Sequence, residues 1–102
     1  MGTPAYMAPE QVRGGAIDTR TDCYSLGIIM YELFTGKIPY IGKDIIEIAF
    51  QHVEGKPKAP RELVPDLPPA LEAIILKAMA VPPDDRFQSV DDLRETLAAL
   101  AT

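Results

Sequence analysis

The stretch that decides the fold reads Gly2-Thr3-Pro4-Ala5-Tyr6-Met7-Ala8-Pro9-Glu10. It runs into a short helix, Met7 to about Val12, which Gly14-Gly15 releases. Three further stretches follow in order. They are Asp18-Thr19-Arg20-Thr21-Asp22-Cys23-Tyr24-Ser25-Leu26-Gly27, Tyr31-Glu32-Leu33-Phe34-Thr35-Gly36-Lys37-Ile38-Pro39-Tyr40 and Pro83-Asp84-Asp85-Arg86-Phe87.

Outward from the first stretch, the apolar spacing predicts helices joined by proline-rich loops. Thr21 or Asp22 caps a helix running to Thr35, with Gly36 as its left-handed stop. Leu26, Ile28, Ile29, Met30, Tyr31, Leu33 and Phe34 make it apolar nearly all round, which predicts burial on every side. Its β-branched pair suits a strand equally well, but its length argues for a helix. Lys43 to about Glu54 is the next helix, with a broad apolar face of Ile45, Ile46, Ile48, Ala49 and Val53. Residues 55–69 hold five of the ten prolines and read as a loop. Asp66 caps the helix after it, with Pro68 and Pro69 in the first turn, where a missing N–H costs little. Leu71, Ile74, Ile75 and Ala78 then form a stripe at i, i+3, i+4 and i+7, and Pro82-Pro83 ends it. Ser89 with Asp92 opens the last helix as a capping box, lined by Leu93, Leu97 and Leu100. No strand pattern emerges. The fold class is all-α, about five helices with no sheet.

The bulk properties narrow the function classes. One hundred and two residues suit one domain or part of one. A chain of this size buries about 65% of its unfolded surface, enough for one modest core. With 47% hydrophobic and 25% charged residues, it is an ordinary globular sequence and not a disordered one. A net charge of −5, with acids and bases interspersed, argues against non-specific nucleic-acid or anionic-membrane binding. A lone cysteine, Cys23, forms no internal disulfide and suits a reducing cytosol, so a cytoplasmic location is expected. No apolar run reaches the roughly 20 residues of a membrane span, and no signal peptide opens the sequence.

Taken together and in order, the four stretches resemble the C-terminal, large-lobe part of a eukaryotic-type Ser/Thr protein kinase, with the texture of the bacterial branch. Ala8-Pro9-Glu10 matches the triplet that closes the family's activation segment. Asp18–Gly27 and Tyr31–Tyr40 match the start and exit of the central buried helix of the large lobe. Pro83–Phe87 matches the last kinase motif. The resemblance implies that residues 1–102 are a partial kinase domain, from the end of the activation segment to the last helix. The N-lobe and catalytic loop are then absent.

The resemblance also assigns roles. Glu10 and Arg86, 76 residues apart, are implied to form a buried structural ion pair, an arginine fork on a carboxylate. Two independent surface charges are the plainer alternative. Asp22 matches the aspartate that supports the catalytic loop; without that loop it is a helix-start acid favoured by the dipole. Gly2, Thr3, Pro4 and Tyr6 belong to the substrate-binding loop, or to a frayed terminus. Glu32 matches a position that contacts basic substrate residues in some members, though a helix-surface acid is the simpler reading. His52, on what reads as a polar helix, has no second His or Cys at ligand spacing, so no metal role is expected. Cys23 has no adjacent base and is not expected to be a nucleophile. Asp84-Asp85 and Asp91-Asp92 lack calcium-loop spacing.

What these residues omit matters as much. A kinase needs a glycine-rich loop over the phosphates, a strand lysine, a catalytic-loop aspartate and asparagine, and a magnesium-binding aspartate. No Gly-x-Gly-x-x-Gly, His-Arg-Asp or Asp-Phe-Gly occurs here. ATP and Mg2+ are therefore expected for the parent kinase and no cofactor, metal or catalytic residue for this stretch. Expected partners are the parent's protein substrate and either the missing kinase half or a second copy. Three readings stay open: a piece of a Ser/Thr kinase, a stand-alone interaction module whose apolar helix needs covering, and an unrelated helical bundle. Contact between Glu10 and Arg86 separates the third from the other two.

Overall fold

A computed structural model describes residues 4–100. Gly2 and Thr3 of the expected substrate-binding loop lie outside them. Among the described residues there are six α-helices and no strand: α1 (Pro9–Arg13), α2 (Thr19–Thr35), α3 (Ile45–Glu54), α4 (Pro60–Leu63), α5 (Pro69–Ala78) and α6 (Val90–Leu100). Short 3-10 turns form at Pro4–Tyr6 and Pro83–Asp85.

The helix ends follow from local chemistry. α2 begins one turn earlier than Thr21 or Asp22 would set it, because Asp18 is the cap. Its carboxylate accepts the Arg20 N–H at 2.9 Å, while the Thr21 hydroxyl oxygen accepts the Asp18 N–H at 3.3 Å. Asp18 and Thr21 thus satisfy each other's end of the helix, which puts Thr21 inside the first turn. Gly36 stops α2 with φ +76° and returns its N–H to the Glu32 carbonyl at 2.8 Å, a conformation glycine adopts without Cβ strain. Asp44 caps α3 through the Glu47 N–H at 2.9 Å, and the Ser89 hydroxyl accepts the Asp92 N–H at 3.0 Å to start α6.

Two expectations between residues 55 and 69 are corrected. The segment is not all loop: α4 forms with Pro60 as its first residue, where a proline has no hydrogen bond to lose. Glu62 then reaches back to the Ala59 N–H at 2.9 Å. The cap of α5 is Pro68, not Asp66: Pro68 stays extended at ψ 134°, as the residue before a proline prefers, and the helix starts on Pro69, where the missing N–H costs little.

α2 is the hub, with α4, α5, α6 and the Pro4–Tyr6 turn packed on it. Its buried Tyr24, Ile28 and Tyr31 meet Ile74, Ile75 and Ala78 of α5, Phe87, and Leu93 of α6 in one core. Each fully buried large side chain of this kind contributes roughly 1.5–3 kcal/mol from surface removed from water. Burial of α2 on every side is not observed, however. Ile29, Leu33 and Phe34 are 46%, 72% and 41% exposed. The neighbouring helices and the Pro4–Tyr6 turn leave this strip of α2 uncovered, and an apolar circumference does not itself say which sides have neighbours.

The α2–α5 crossing is close at Gly27. A Cβ there would lie 2.8 Å from Ala78 Cβ, 2.9 Å from Met79 Cγ and 3.2 Å from the Ala78 carbonyl carbon. Two of these atoms belong to or sit next to helix backbone, so the helices would have to part. Gly27→Ala gains about 1 kcal/mol of helix propensity but overpacks at a cost of about 1–3 kcal/mol. A net destabilisation of up to about 2 kcal/mol is expected in denaturant melts, and a stabilised variant would contradict the close crossing.

Candidate functional site

Arg86 is the best-connected side chain of the described residues. It stands just after the Pro83–Asp85 turn with a fully buried side chain. Nη1 donates to Glu10 Oε2 at 2.6 Å and to the Arg20 carbonyl at 3.1 Å. Nη2 donates to Glu10 Oε1 at 2.8 Å and to the Val81 carbonyl at 2.9 Å, and Nε donates to the Ala80 carbonyl at 2.7 Å. All five guanidinium N–H groups are thereby used. The face of the group lies 4.8 Å from the Tyr24 ring centroid, a cation–π stack.

Glu10 receives the Arg86 fork from α1 and also accepts the Thr21 hydroxyl at 2.7 Å. Burial alone would raise its carboxyl pKa. The hydrogen bonds from Arg86, then Thr21, then backbone, outweigh burial and hold it at about 2, against an ordinary 4.5. One ion pair therefore joins α1, the start of α2 and the segment before α6. A surface relay runs beside it: Arg20 pairs with Asp18 at 3.0 Å and with Asp84 at 2.6 Å, where exposure leaves little net stabilisation.

The Pro4–Tyr6 turn precedes α1 and is tied to α2. The Tyr6 hydroxyl donates to Glu32 Oε1 at 2.5 Å, and the Ser25 hydroxyl donates to the Tyr6 carbonyl at 2.9 Å. The Glu32 carboxylate, first through that hydrogen bond and with burial added, holds the Tyr6 phenol above its usual range. The structure thus brings Tyr6 and Glu32 together, and Glu10 and Arg86 together. Asp22 sits apart, exposed in the first turn of α2.

His52 corrects the reading of α3 as a polar helix at that point. It is fully buried, its Nδ1 2.7 Å from the Tyr24 hydroxyl and its ring edge-on to Tyr40 with centroids 4.8 Å apart. Burial lowers its pKa from the ordinary 6.5, opposed by the backbone of Pro4 and Ala5. The available signal was spacing: His52 lies four residues after Ile48, on the inward face. The outward face of α3 carries Ile45, Ile46 and Phe50, which are 63%, 72% and 66% exposed. With Val12 and Arg13 of α1 they line an open apolar groove of about 390 Å³. Cys23 is buried, and burial, then Asp22, pushes its thiol pKa up, away from nucleophilic use. Among the described residues no group of three or more His, Cys, Asp or Glu side chains converges as metal donors. No described helix is long and apolar enough to cross a membrane.

The comparisons agree with this geometry. The model for the protein kinase domain matches residues 1–97. The chain belongs to the protein kinase family. This partial kinase domain is 43% identical over 97 residues to the serine/threonine-protein kinase PknB of Mycolicibacterium smegmatis, covering 95% of this chain and 16% of that protein. It is 41% identical over 99 residues to a probable serine/threonine-protein kinase of Streptomyces coelicolor, covering 97% and 15%. PknB of Mycobacterium tuberculosis is 40% identical over 97 residues, covering 95% and 16%. The chain thus spans about one-sixth of the length of these bacterial relatives, and the resemblance is to a C-terminal part of a kinase domain.

Two outcomes follow. Arg86→Ala strands the Glu10 carboxylate and three carbonyls, and should cost about 3–5 kcal/mol in denaturant unfolding. A melting shift of only a degree or two would contradict the buried-pair geometry. The acid response should come in two steps. His52 is held neutral, so stability falls as pH drops below its ordinary 6.5. Glu10 has a depressed pKa, so its contribution is complete above 4.5 and disappears as pH falls through about 2. Unfolding free energies measured against pH should therefore decline in both windows, and Glu10→Gln should flatten the lower one.

Proposed function

We propose that these residues are the structural and substrate-docking part of an ATP-dependent Ser/Thr protein kinase, inactive by themselves. The Arg86–Glu10 fork carries the reading. It closes a contact across 76 residues between two family motifs and fixes the end of the activation segment to the base of the lobe. The proposed domain assignment is residues 1–102 as a partial kinase domain. Gly2, Thr3, Pro4 and Tyr6 form the loop that meets substrate. Glu32 holds Tyr6 with one carboxylate oxygen and offers the other to a basic substrate side chain. Asp22 supports the backbone of the catalytic loop in the assembled kinase.

The parent's activity is transfer of the ATP γ-phosphate to serine or threonine of a protein. ATP supplies the phosphoryl group and Mg2+ neutralises its charge, and both are held by kinase elements these 102 residues do not contain. What this chain supplies is position: the ion pair sets the start of α1, and the Tyr6–Glu32 contact sets the turn before it. The proposed location is cytoplasmic. One observation favours a second reading, a non-catalytic module that self-associates or binds a partner. It is the exposed apolar surface of Ile29, Leu33 and Phe34 on α2 and of the groove beside α3.

Phosphotransfer from labelled ATP with Mg2+ to a protein substrate tests the proposal. The full-length protein should label serine or threonine, and the 102-residue chain should label nothing. Activity in the short chain would contradict the assignment. Inactivity of the full-length protein would move the weight to the interaction module.

A further inference from the structure

Ser25 lies within α2, where a serine hydroxyl ordinarily turns back to a carbonyl three or four residues before it. Two other helix hydroxyls do so: Thr35 donates to the Tyr31 carbonyl at 2.6 Å, and Thr96 to the Asp92 carbonyl at 2.8 Å. Ser25 instead donates to the Tyr6 carbonyl, 19 residues away in sequence, at 2.9 Å. The turn cannot supply that bond by its own pattern. A 3-10 turn over Pro4–Tyr6 would return to this carbonyl the N–H of the residue three further on, and that residue is Pro9, which has none. The N–H of the same peptide unit, that of Met7, donates to the Pro4 carbonyl at 3.3 Å. The Tyr6–Met7 peptide is thus held at both ends, by the turn through its N–H and by α2 through its oxygen.

Glu32 completes the grip. It follows Ser25 by about two helical turns, so the two share one face of α2. Its carboxylate accepts the Tyr6 hydroxyl at 2.5 Å. One helix face therefore holds Tyr6 at its backbone and at its side-chain tip. We infer that Ser25 is a positioning residue for the turn that meets substrate: its hydroxyl fixes the Tyr6–Met7 peptide plane against α2, while Glu32 fixes the phenol. The inference rests on the proposed reading of that turn as substrate-facing. Without the hydroxyl the phenol stays tied, but the peptide is free to rotate and the backbone offered to substrate loses its orientation.

Two variants of the full-length protein separate the hydrogen bond from packing. Ser25→Ala removes the donor. Ser25→Cys keeps a side chain of similar shape but only a weak donor. Hydrogen exchange of the Met7 amide should accelerate about fivefold in both, the loss of one hydrogen bond between neutral groups, with the amides of α5 unchanged. KM for a peptide substrate should rise more than kcat falls, with KM for ATP unmoved. A cysteine variant that exchanges like the wild type would assign the position to packing and overturn the inference. Unchanged Met7 exchange in Ser25→Ala, equal acceleration in α5, or a kinetic effect confined to kcat would each overturn it too. The exchange result decides the role of Ser25 even if the wild type transfers no phosphate, an outcome that would count against the kinase reading alone.

Discussion

A single buried guanidinium sets the terms for this fold. Desolvating a cation costs several kcal/mol, and only a complete set of partners makes that tolerable. Arg86 has that set: both oxygens of Glu10 and the carbonyls of Arg20, Ala80 and Val81. Those partners come from α1, from the first turn of α2 and from the segment after α5. None can shift without leaving a buried donor unpaired. The ion pair therefore acts as a geometric constraint more than as a source of net stability. It fixes the start of α1, and so the chain entering from the Pro4–Tyr6 turn.

The aromatic layer under the guanidinium extends that constraint. Tyr24 offers its face to Arg86 and its hydroxyl to His52, while Tyr40 closes the far side of the histidine ring. Two titrating groups of opposite chemistry are thus set close to one tyrosine. Glu10 is held charged by its hydrogen bonds and His52 is held neutral by burial, a division that keeps only one full positive charge, that of Arg86, against the Tyr24 ring. The core around them is ordinary helix packing, tightest where Gly27 lets α5 approach α2. The apolar side of α2 that these helices leave exposed suits a helix that is central in a larger lobe.

Much of this was legible in the sequence, and the failures have physical causes. The helices of α2, α3, α5 and α6 followed from apolar spacing and from glycine stops such as Gly36. The Glu10–Arg86 contact could not come from any local pattern, since nothing in spacing relates positions 76 apart; motif resemblance alone suggested it. α4 was hidden because prolines read as helix breakers, although Pro60 sits at the one helical position where the missing N–H is harmless. The cap of α2 was misplaced because Asp18, Thr21 and Asp22 are all competent caps, and the choice depends on Thr21 being drawn inward by Glu10. His52 was missed because α3 has apolar residues on two faces, and the more apolar face is the exposed one.

A double-mutant cycle on Glu10 and Arg86 tests the central claim most directly. Unfolding free energies would be measured for the wild type, Glu10→Gln, Arg86→Met and the double variant. A bidentate buried pair predicts a coupling energy of about 2–3 kcal/mol, with the double variant far less damaged than the sum of the single ones. Additivity within about 0.5 kcal/mol would mean that the two side chains do not depend on each other, and the constraint on which this account rests would be absent.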